Sequence, residues 1–557
     1  MKQIIECVPN ISEGRDENVI QEISAVVETI NGVRLLDVDP GHATNRTVIT
    51  FVGEPQAVID AAFLLIEKAS QLIDMRQQTG EHPRFGATDV CPLIPISGIS
   101  MEETAKYAHQ LGQRVGSELN IPVYFYENAA TEEKRRNLAT VRAGQYEGLP
   151  KKLADPDWQP DAGPAVFNER AGATAISARD FLVAYNVNLN TTSTRRANAI
   201  AFDVREAGRV KKIDGVIQRD ENGDALRVPG QLKAVKGIGW YIEEYGICQI
   251  SMNLTNIKTT SIHEAFEATR ESANRRGLRV TGSELVGLVP KQAMLDAGDY
   301  YLRKQQRSLG VSESEKIKIA IKSLGLDDLG PFDPQKNIIE YVMDQGDDRP
   351  LVNMKLNQFA DETASESMAP GGGSISAYVG ALGISLATMV ANLSAHKRGW
   401  DERWEEFSEW ASQGQALKEK LIDLVDDDTE AFNRIIDAFR MPKVSDEEKA
   451  ARQLAITEAT KNAIEVPFRV MQVAMASMPI IKTMAEIGNP ASASDAGVGA
   501  LCARAAVRGA YMNVCINTAD LDDEAYVSEK LAAGQKLVDE AARLETEILN
   551  LVESAIA

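Results

Sequence analysis

In the first third of the chain, hydrophobic positions alternate between strand-like and helix-like spacing. Apolar stripes with helical spacing lie near residues 19–27 and 58–73. Short apolar runs predict strands at residues 4–8, 33–38, 47–52 and 91–96, and a further run at 123–126 is predicted to close the sheet. The resulting order, strand–helix–strand–strand–helix–strand, is the split βαβ or ferredoxin-like order. Ser100 and Glu103 then have the spacing of a capping box for the next helix.

A second unit with the same order begins near Phe181. Strand-like runs lie at residues 182–189, 237–242, 247–254 and 278–281, and helical stripes at about residues 194–207 and 262–276. Residues 210–230 carry a turn signal, which predicts a hairpin-like insertion. We therefore predict an α/β (α+β) N-terminal part of two ferredoxin-like split-βαβ subdomains, with the ligand site in a cleft between them.

After Leu326 the strand signals end, and helical stripes continue almost to Ala557. This predicts an all-α helical-bundle C-terminal domain. The stretch 374–393 is uncharged and long enough to span a membrane, but its Gly, Ser, Thr and Asn residues favour a buried helix in a bundle. The predicted division is residues 1–179, residues 180–326, a linker at 327–351, and residues 352–557.

Composition narrows the class of protein. The 557 residues carry a formal net charge of -21, which argues against a nucleic-acid partner. The five cysteines show no CxxC spacing and no paired histidines, so we expect no metal site and a reducing compartment. Cys91 has an apolar flank, which favours a buried structural thiol. The N-terminal residues do not resemble a signal peptide, and we expect a cytoplasmic protein with no membrane partner.

The loop at residues 79–89 brings reactive side chains together in a segment with two glycines and a proline. The His82 imidazole can exchange a proton near neutral pH, and the Arg84 guanidinium can bind a carboxylate in a bidentate manner. A well-packed turn is the equally supported alternative on this stretch alone. Residues 128–163, rich in charge and proline, form either a solvated covering segment or a basic reserve for a polyanionic substrate.

The C-terminal half holds a second set of candidates. Asp428 falls in the middle of an apolar stripe of helical spacing, where desolvation is expected to raise the carboxyl pKa. This suits a general acid or base, although a buried structural carboxylate is the alternative. The run Gly371, Gly372, Gly373 and Ser374 precedes the uncharged helix and presents bare amides near a helix N-terminus. The polar break at residues 488–495 is a third candidate for the same pocket.

These residues carry a resemblance to a known family. The matching stretches are residues 6–14, 37–39, 45–48, 80–84, 89–92, 237–241, 285–290, 369–374 and 424–432. Residues in the first half resemble glutamate formimidoyltransferase, and those in the second half resemble formimidoyltetrahydrofolate cyclodeaminase. Together they resemble the bifunctional formimidoyltransferase-cyclodeaminase family over nearly the whole chain. The insertion at residues 210–230 is longer than in some relatives.

The resemblance implies transfer of a formimidoyl group from N-formimidoyl-L-glutamate to N5 of tetrahydrofolate, followed by ring closure to 5,10-methenyltetrahydrofolate with release of ammonia. His82 and Asp428 match the catalytic residues. Asp39, Asn45, Arg46, Arg84 and the Gly371–Ser374 run are expected to contact substrate. The segment expected to bind folate comprises Gly163, Pro164, Ala165, Val166, Phe167, Asn168, Glu169, Arg170, Ala171 and Gly172.

The resemblance also implies tetrahydrofolate as a co-substrate, with or without a polyglutamate tail, and a homo-oligomer. Two other classes are weighed against this one. A folate-binding or scaffolding protein with one or both sites inactive would retain binding but lose turnover. A metal-dependent hydrolase would need clustered ligands that the spacing does not provide.

Overall fold

The computed structural model describes residues 3–42, 45–80, 84–343, 349–519 and 521–557. The chain forms two compact units. The first comprises Met1–Met294 with Ile321–Gly346, and the second Leu295–Ala320 with Asp347–Ala557. Residues 295–320 are thus grouped with the second unit, and 327–343 of the predicted linker with the first. The limits of the functional domains stay a prediction.

The first unit begins with a sheet and the helices that cover it. Its strands are β1 (Ile4–Cys7), β2 (Asn10–Ile11), β3 (Val33–Gly41), β4 (Arg46–Gly53), β5 (Thr88–Ser97), β6 (Val123–Glu127) and β7 (Thr174–Ala178). Its helices are α1 (Glu17–Ala25), α2 (Pro55–Leu72), α3 (Met101–Glu118), α4 (Leu138–Val141) and α5 (Leu149–Leu153).

The following strands are β8 (Val183–Leu189), β9 (Arg209–Val210), β10 (Lys212–Ile213), β11 (Val216–Ile217), β12 (Arg227–Val228), β13 (Val235–Ile242), β14 (Ile247–Leu254) and β15 (Val280–Val286). The helices beside and after them are α6 (Thr194–Val204), α7 (Ile262–Asn274), α8 (Lys291–Lys304), α9 (Glu313–Leu324), α10 (Pro334–Asn337) and α11 (Ile339–Met343). Strands β9 to β12 are short pairs within the predicted insertion.

Both sheets contain the ferredoxin-like arrangement. In the first, β3 pairs with β4, β4 with β1, and β1 with β5, all antiparallel. In the second, the order is β13-β14-β8-β15. Each set therefore reads second, third, first, fourth in chain order, which confirms the predicted fold class. The first sheet is extended by β7, which pairs in parallel with both β5 and β6.

The helices form where the sequence supplies caps and apolar faces. Ser100 and Glu103 make the predicted capping box at the start of α3. Helix α2 buries one long face, including Val58, Leu65 and Ile66, in the core of the first sheet. This packing leaves the polar residues at the strand ends available for the site.

The long elements of the second unit are helices. These are α12 (Leu356–Thr363), α13 (Gly372–Ala395), α14 (Trp404–Arg440), α15 (Asp446–Ile487), α16 (Ala493–Thr518) and α17 (Glu524–Ile556). Helix α13 packs against α14 and α16. Its glycines permit close approach, since a Cβ at Gly383 would lie 2.9 Å from the carbonyl oxygen of Gly499.

Among the described residues, Gly372–Ala395 and Asp446–Ile487 are long and apolar enough to pass a length-and-composition test for membrane spans. In each, 61% of the apolar window is buried inside the protein. That burial is typical of core helices in a bundle.

Candidate functional site

The loop that carries His82 is described only on either side of that residue. Glu81, His82 and Pro83 lie outside the described residues, so the predicted catalytic histidine is not part of this structural account. On the C-terminal side, Arg84 Nη2 lies 2.5 Å from Glu147 Oε1, and the Arg84 carbonyl accepts a hydrogen bond from the Tyr146 N–H at 2.9 Å. Arg84, predicted to bind substrate, therefore already has a carboxylate partner.

Asn45 holds the N-terminal side of the same loop. It is buried and adopts a left-handed backbone with φ of 49°. Its Oδ1 accepts from the Gly14 N–H at 3.0 Å, while its Nδ2 donates to the Thr79 carbonyl at 3.0 Å. Gln78 Nε2 in turn donates to Glu13 Oε2 at 2.9 Å. These contacts hold the Asn45 side chain between Gly14 and Thr79, and an open pocket of about 580 Å³ lies beside them.

Arg46 also has partners. Its Nε and Nη2 both donate to Asn10 Oδ1, at 2.8 and 2.6 Å, and its Nη1 lies 3.0 Å from Asp89 Oδ2. The same carboxylate oxygen receives Nη1 of Arg142 at 2.6 Å. Asp89 is 2% exposed, so this carboxylate is buried between two guanidinium groups.

The predicted folate segment lies against the loop. The Ala87 N–H donates to the Ala171 carbonyl at 2.8 Å, and the Ala173 N–H donates to the Phe85 carbonyl at 3.2 Å. Gly86 faces Gly172 in an antiparallel bridge, and a Cβ on Gly86 would lie 2.2 Å from the Ala173 oxygen. The structure thus brings together the segments at residues 84–89 and 163–172, which the sequence places about 80 residues apart.

Within the folate segment, two residues are fixed from outside. Tyr146 Oη donates to the Glu169 carbonyl, and its ring centroid lies 5.4 Å from that of Phe167. Val166 is 68% exposed.

Asp39, a second predicted substrate contact, is also exposed and lies on β3 opposite Val48 of β4.

Most of the basic reserve proposed for residues 128–163 has structural partners. Arg135 is buried with Nη1 2.7 Å from Asp161 Oδ2. Lys152 Nζ lies 4.2 Å from the ring centroid of Trp158, and burial lowers the pKa of Lys152 to about 8. Arg142 is the member of this segment that contacts the candidate site.

The second region is built where α13 begins and α14 passes beside it. The Ser374 N–H donates to Asp428 Oδ2 at 3.0 Å, and the Ser374 hydroxyl lies 3.4 Å from the same oxygen. A Cβ on Gly373 would lie 2.1 Å from Asp428 Oδ1. Gly373 therefore allows the backbone to close over the carboxylate. The structure brings the predicted Gly371–Ser374 run and Asp428 together.

Asp428 is half-buried, and burial raises its carboxyl pKa, while the hydrogen bonds from Ser374 act in the opposite direction. The stripe around it is less buried than the sequence pattern predicted. Leu424 and Val425 are buried, but Phe432 and Phe439 are 40% and 55% exposed. Helical spacing identifies a face, but it does not say how far along that face the neighbouring helices extend.

Two further features lie near the start of α13 and the adjacent part of α14. The Asn513 amide lies on the other side of the turn, where a Cβ on Gly372 would lie 3.1 Å from its Nδ2. A small cavity of about 100 Å³, lined in part by Phe359, Tyr378 and Val425, adjoins the same helices. Backbone amides at the start of α13 thus lie beside a carboxylate whose pKa is raised by burial.

The sequence interpretation missed Asn10, Glu13, Arg142 and Asn513. Arg142 falls in the charged segment at residues 128–163, but no sequence signal distinguishes it from Arg136 or Lys151. Asn513 stands in an apolar helix, and that placement is the one signal available for it. The third candidate, residues 488–495, lies elsewhere: the Asn489 N–H donates to Ser394 Oγ, near the C-terminal end of α13.

Cys91 is fully buried, with its Sγ 3.5 Å from that of Cys7, which confirms the prediction of a buried thiol. Within the described ranges, no group of three or more His, Cys, Asp or Glu side chains is arranged to hold a metal ion.

Comparisons with known proteins agree along the chain. The model "Formiminotransferase domain, N-terminal subdomain" matches residues 4–179, "Formiminotransferase domain" matches 184–344, and "Formiminotransferase-cyclodeaminase" matches 355–536. The chain is 42% identical over 554 residues to the formimidoyltransferase-cyclodeaminase of Gallus gallus, covering 99% of both chains.

Two shorter relatives match one part each. The glutamate formimidoyltransferase of Streptococcus pyogenes is 42% identical over 303 residues, which are 54% of this chain and 94% of that protein. The methenyltetrahydrofolate cyclohydrolase of Methylorubrum extorquens is 37% identical over 204 residues, which are 37% of this chain and 98% of that protein. The full-length match decides the assignment: the chain belongs to the formimidoyltransferase-cyclodeaminase family.

Proposed function

We propose that the protein transfers the formimidoyl group of N-formimidoyl-L-glutamate to N5 of tetrahydrofolate and then converts 5-formimidoyltetrahydrofolate to 5,10-methenyltetrahydrofolate and ammonia. Membership of the family supports both activities, since relatives named for the complete enzyme cover 99% of the chain. Tetrahydrofolate is the co-substrate of the first step, and its modified form is the substrate of the second.

In the first step, N5 of tetrahydrofolate attacks the amidine carbon of the donor. The new bond joins N5 to that carbon, and the bond to the glutamate nitrogen breaks. His82 is assigned to take the proton from N5 and return one to the departing nitrogen. The folate segment packed on residues 85–87 supports placing the pterin beside this loop, with Asp39 and Arg46 as neighbouring candidates for substrate contact.

In the second step, N10 attacks the formimidoyl carbon and the former amidine nitrogen leaves as ammonia. Ionised Asp428 is assigned to take the N10 proton and deliver it to the leaving nitrogen. The contact of Asp428 Oδ2 with the Ser374 N–H at 3.0 Å, together with the pKa raised by burial, is the observation that carries this assignment. A carboxyl with a raised pKa exchanges protons more readily near neutral pH. The amides of Gly372 and Gly373 are placed to contact the substrate.

The test separates the two steps with one variant for each. His82→Ala should abolish transfer but leave ammonia release from supplied 5-formimidoyltetrahydrofolate intact. Asp428→Asn should retain transfer and accumulate 5-formimidoyltetrahydrofolate. Asp427→Asn is the matched control, because Asp427 faces Arg469 at 3.7 Å instead of Ser374.

Loss of both activities in either variant, with the fold preserved, would refute the assignment of separate sites. A wild-type protein that binds tetrahydrofolate but forms neither ammonia nor methenyltetrahydrofolate would favour the scaffolding alternative.

We further propose a cytoplasmic homo-oligomer. Support for self-association comes from large apolar side chains exposed on the helical unit, among them Leu356 at 72%, Ile516 at 70% and Met512 at 58%. Burying such side chains is favourable. Light scattering of the purified protein tests the assembly, and cell fractionation tests the location.

A further inference from the structure

The Asp89 carboxylate is in contact with two guanidinium groups. Its Oδ2 lies 2.6 Å from Arg142 Nη1 and 3.0 Å from Arg46 Nη1. One guanidinium suffices to balance one carboxylate, so the trio carries a net charge of about +1. Burial lowers the pKa of the Arg46 guanidinium, and the charge of Arg142 acts in the same direction.

The two arginines differ in what remains of their donors. Arg46 uses Nε and Nη2 on Asn10 and Nη1 on Asp89. Arg142 contacts Asp89 through Nη1, and within the described part of the chain its Nε and Nη2 have no hydrogen-bond partner. The Arg142 side chain is 17% exposed. An edge carrying two parallel N–H groups thus remains available on a guanidinium that Asp89 already orients.

Arg142 belongs to a segment that contacts the loop at residues 79–89. Arg142 follows α4, and its segment is fastened to the loop by the Tyr146 N–H, which donates to the Arg84 carbonyl, and by the Arg84–Glu147 pair. Asp89 is the second residue of β5, which follows that loop directly. A partly buried guanidinium edge with a fixed orientation is suited to a bidentate carboxylate, because both donors then meet both oxygens.

We propose that Arg142 is a specificity-determining residue of the transferase site, where its free edge binds a carboxylate of a substrate. The inference rests on the proposed function. Two sources share this chemistry: the glutamate carboxylates of the formimidoyl donor, and the glutamyl tail of the folate. Asp89 acts as the positioning residue that orients Arg142.

The experiment compares substrates that differ in their carboxylates. The donors are N-formimidoyl-L-glutamate, N-formimidoyl-L-glutamine, which lacks the γ-carboxylate, and N-formimidoyl-4-aminobutyrate, which lacks the α-carboxylate. The acceptors are tetrahydrofolate with one and with three glutamyl residues. Transferase KM and kcat are measured for wild type, Arg142→Gln, Arg142→Lys and the control Arg136→Gln. Arg136 is an exposed arginine of the same segment, 3.0 Å from Glu133.

Loss of a charged hydrogen-bonded contact should raise the relevant KM by about 10- to 100-fold in Arg142→Gln. If the donor supplies the carboxylate, its KM rises and the preference over one analogue disappears. If the folate tail supplies it, the KM for tetrahydrofolate rises and the advantage of the triglutamate shrinks. Arg142→Lys, which keeps the charge but not the fork, should show a smaller rise, and Arg136→Gln should match wild type.

Arg142→Gln with wild-type KM values and unchanged discrimination among all substrates overturns the proposal. So does a loss of activity that merely follows a lower unfolding temperature, because a purely structural role would leave substrate discrimination intact. Calorimetric titration with N-formimidoyl-L-glutamate and with each folate separates this inference from the proposed function. A wild-type protein that binds these ligands through Arg142 without turnover would support the site and refute the transfer reaction.

Discussion

Two carboxylates, a buried one in the first unit and a half-buried one in the second, illustrate different uses of the same group. Asp89 follows a glycine-bearing loop, is 2% exposed and meets two guanidinium groups. Asp428 lies under a glycine-bearing turn, is half-buried and meets the N–H and hydroxyl of Ser374. Arginine donors favour the ionised form of a carboxylate, whereas burial with neutral donors leaves it able to take up a proton.

Asp89 and Asp428 are therefore expected to have different tasks. Asp89 is a fixed charge that orients arginines, so the first site must obtain its proton transfer from another group, for which His82 is proposed. Asp428 has a pKa raised by burial, so it is suited to transfer the proton itself. Removing the charge should therefore affect stability in the first unit and chemistry in the second.

Asp89→Asn is expected to have the largest effect on folding. It leaves two partly buried guanidinium groups without their shared carboxylate, and breaking a buried ion pair typically costs about 3–5 kcal/mol. Urea unfolding combined with hydrogen exchange of β5 amides measures this loss in the first unit. Asp60→Asn is the control: its pair with Arg114 is about one-third exposed, so about 1 kcal/mol or less is expected. Equal effects of the two changes would contradict the assigned role of Asp89.

Asp428 should behave in the opposite way. Its pKa in the folded protein lies above the unfolded value, so its contribution to stability is fully present below the unfolded pKa and is lost as pH rises through the folded pKa. An asparagine has no such loss, so Asp428→Asn should not destabilise the helical unit at neutral pH. This contrast is measured in the same unfolding series.

Gly373→Ala tests how closely the second site is closed. The added Cβ would lie 2.1 Å from Asp428 Oδ1, so the carboxylate must swing away while the backbone stays in place. We expect kcat for ammonia release to fall by about 100-fold, in line with the misplacement of a catalytic group, with little change in transfer. Gly371→Ala should lose far less, since its Cβ meets open space. Similar losses of kcat in the two variants would show that the turn excludes a side chain for a reason other than the contact with Asp428.

Gly86→Ala makes the corresponding change in the first site, where backbone atoms are the obstacle. Its Cβ would lie 2.2 Å from the Ala173 oxygen and 2.6 Å from the Ala171 oxygen. Because Ala171 lies in the folate segment and Ala173 directly precedes β7, the backbone must shift, at a cost of about 1–3 kcal/mol. The KM for tetrahydrofolate should rise while cyclodeamination is kept. The control Gly330→Ala has open space around its Cβ; an unchanged folate KM in Gly86→Ala would separate the loop from folate binding.

The two regions also differ in how far the sequence could describe them. The spacing of hydrophobic residues and the helix-capping residues predicted both ferredoxin-like orders, because these signals are local in the sequence. Strand β7 was missed, since four of its five buried residues are small and its pairing with β5 and β6 is remote in sequence. Asp428 could be singled out as a polar residue on an apolar face. Its contact with Ser374, 54 residues away, depends on helix packing.

The first site depends still more on tertiary contacts. Arg46 and Arg84 were recognised as cations, but spacing does not show that Asn10, Asp89 and Glu147 already contact them. Arg142 reaches Asp89 across 53 residues, from a segment in which Arg135 and Lys152 have other partners. Which cation retains a free donor is a property of the folded arrangement.

The smallest expected effect, Ser374→Ala, tests the proton balance of Asp428 directly. The Ser374 hydroxyl and N–H lower a carboxyl pKa that burial raises, so removing the hydroxyl should raise the pKa of Asp428 further. Since the ionised carboxylate accepts the N10 proton, the acid limb of kcat for ammonia release should move to higher pH. Ser385→Ala, which removes a hydroxyl bonded within the same helix to the Ala381 carbonyl, should leave this limb in place. An acid limb that stays fixed or moves to lower pH in Ser374→Ala would contradict the proton shuttle. A shuttling carboxylate whose pKa has risen must lose its ionised form at a higher pH.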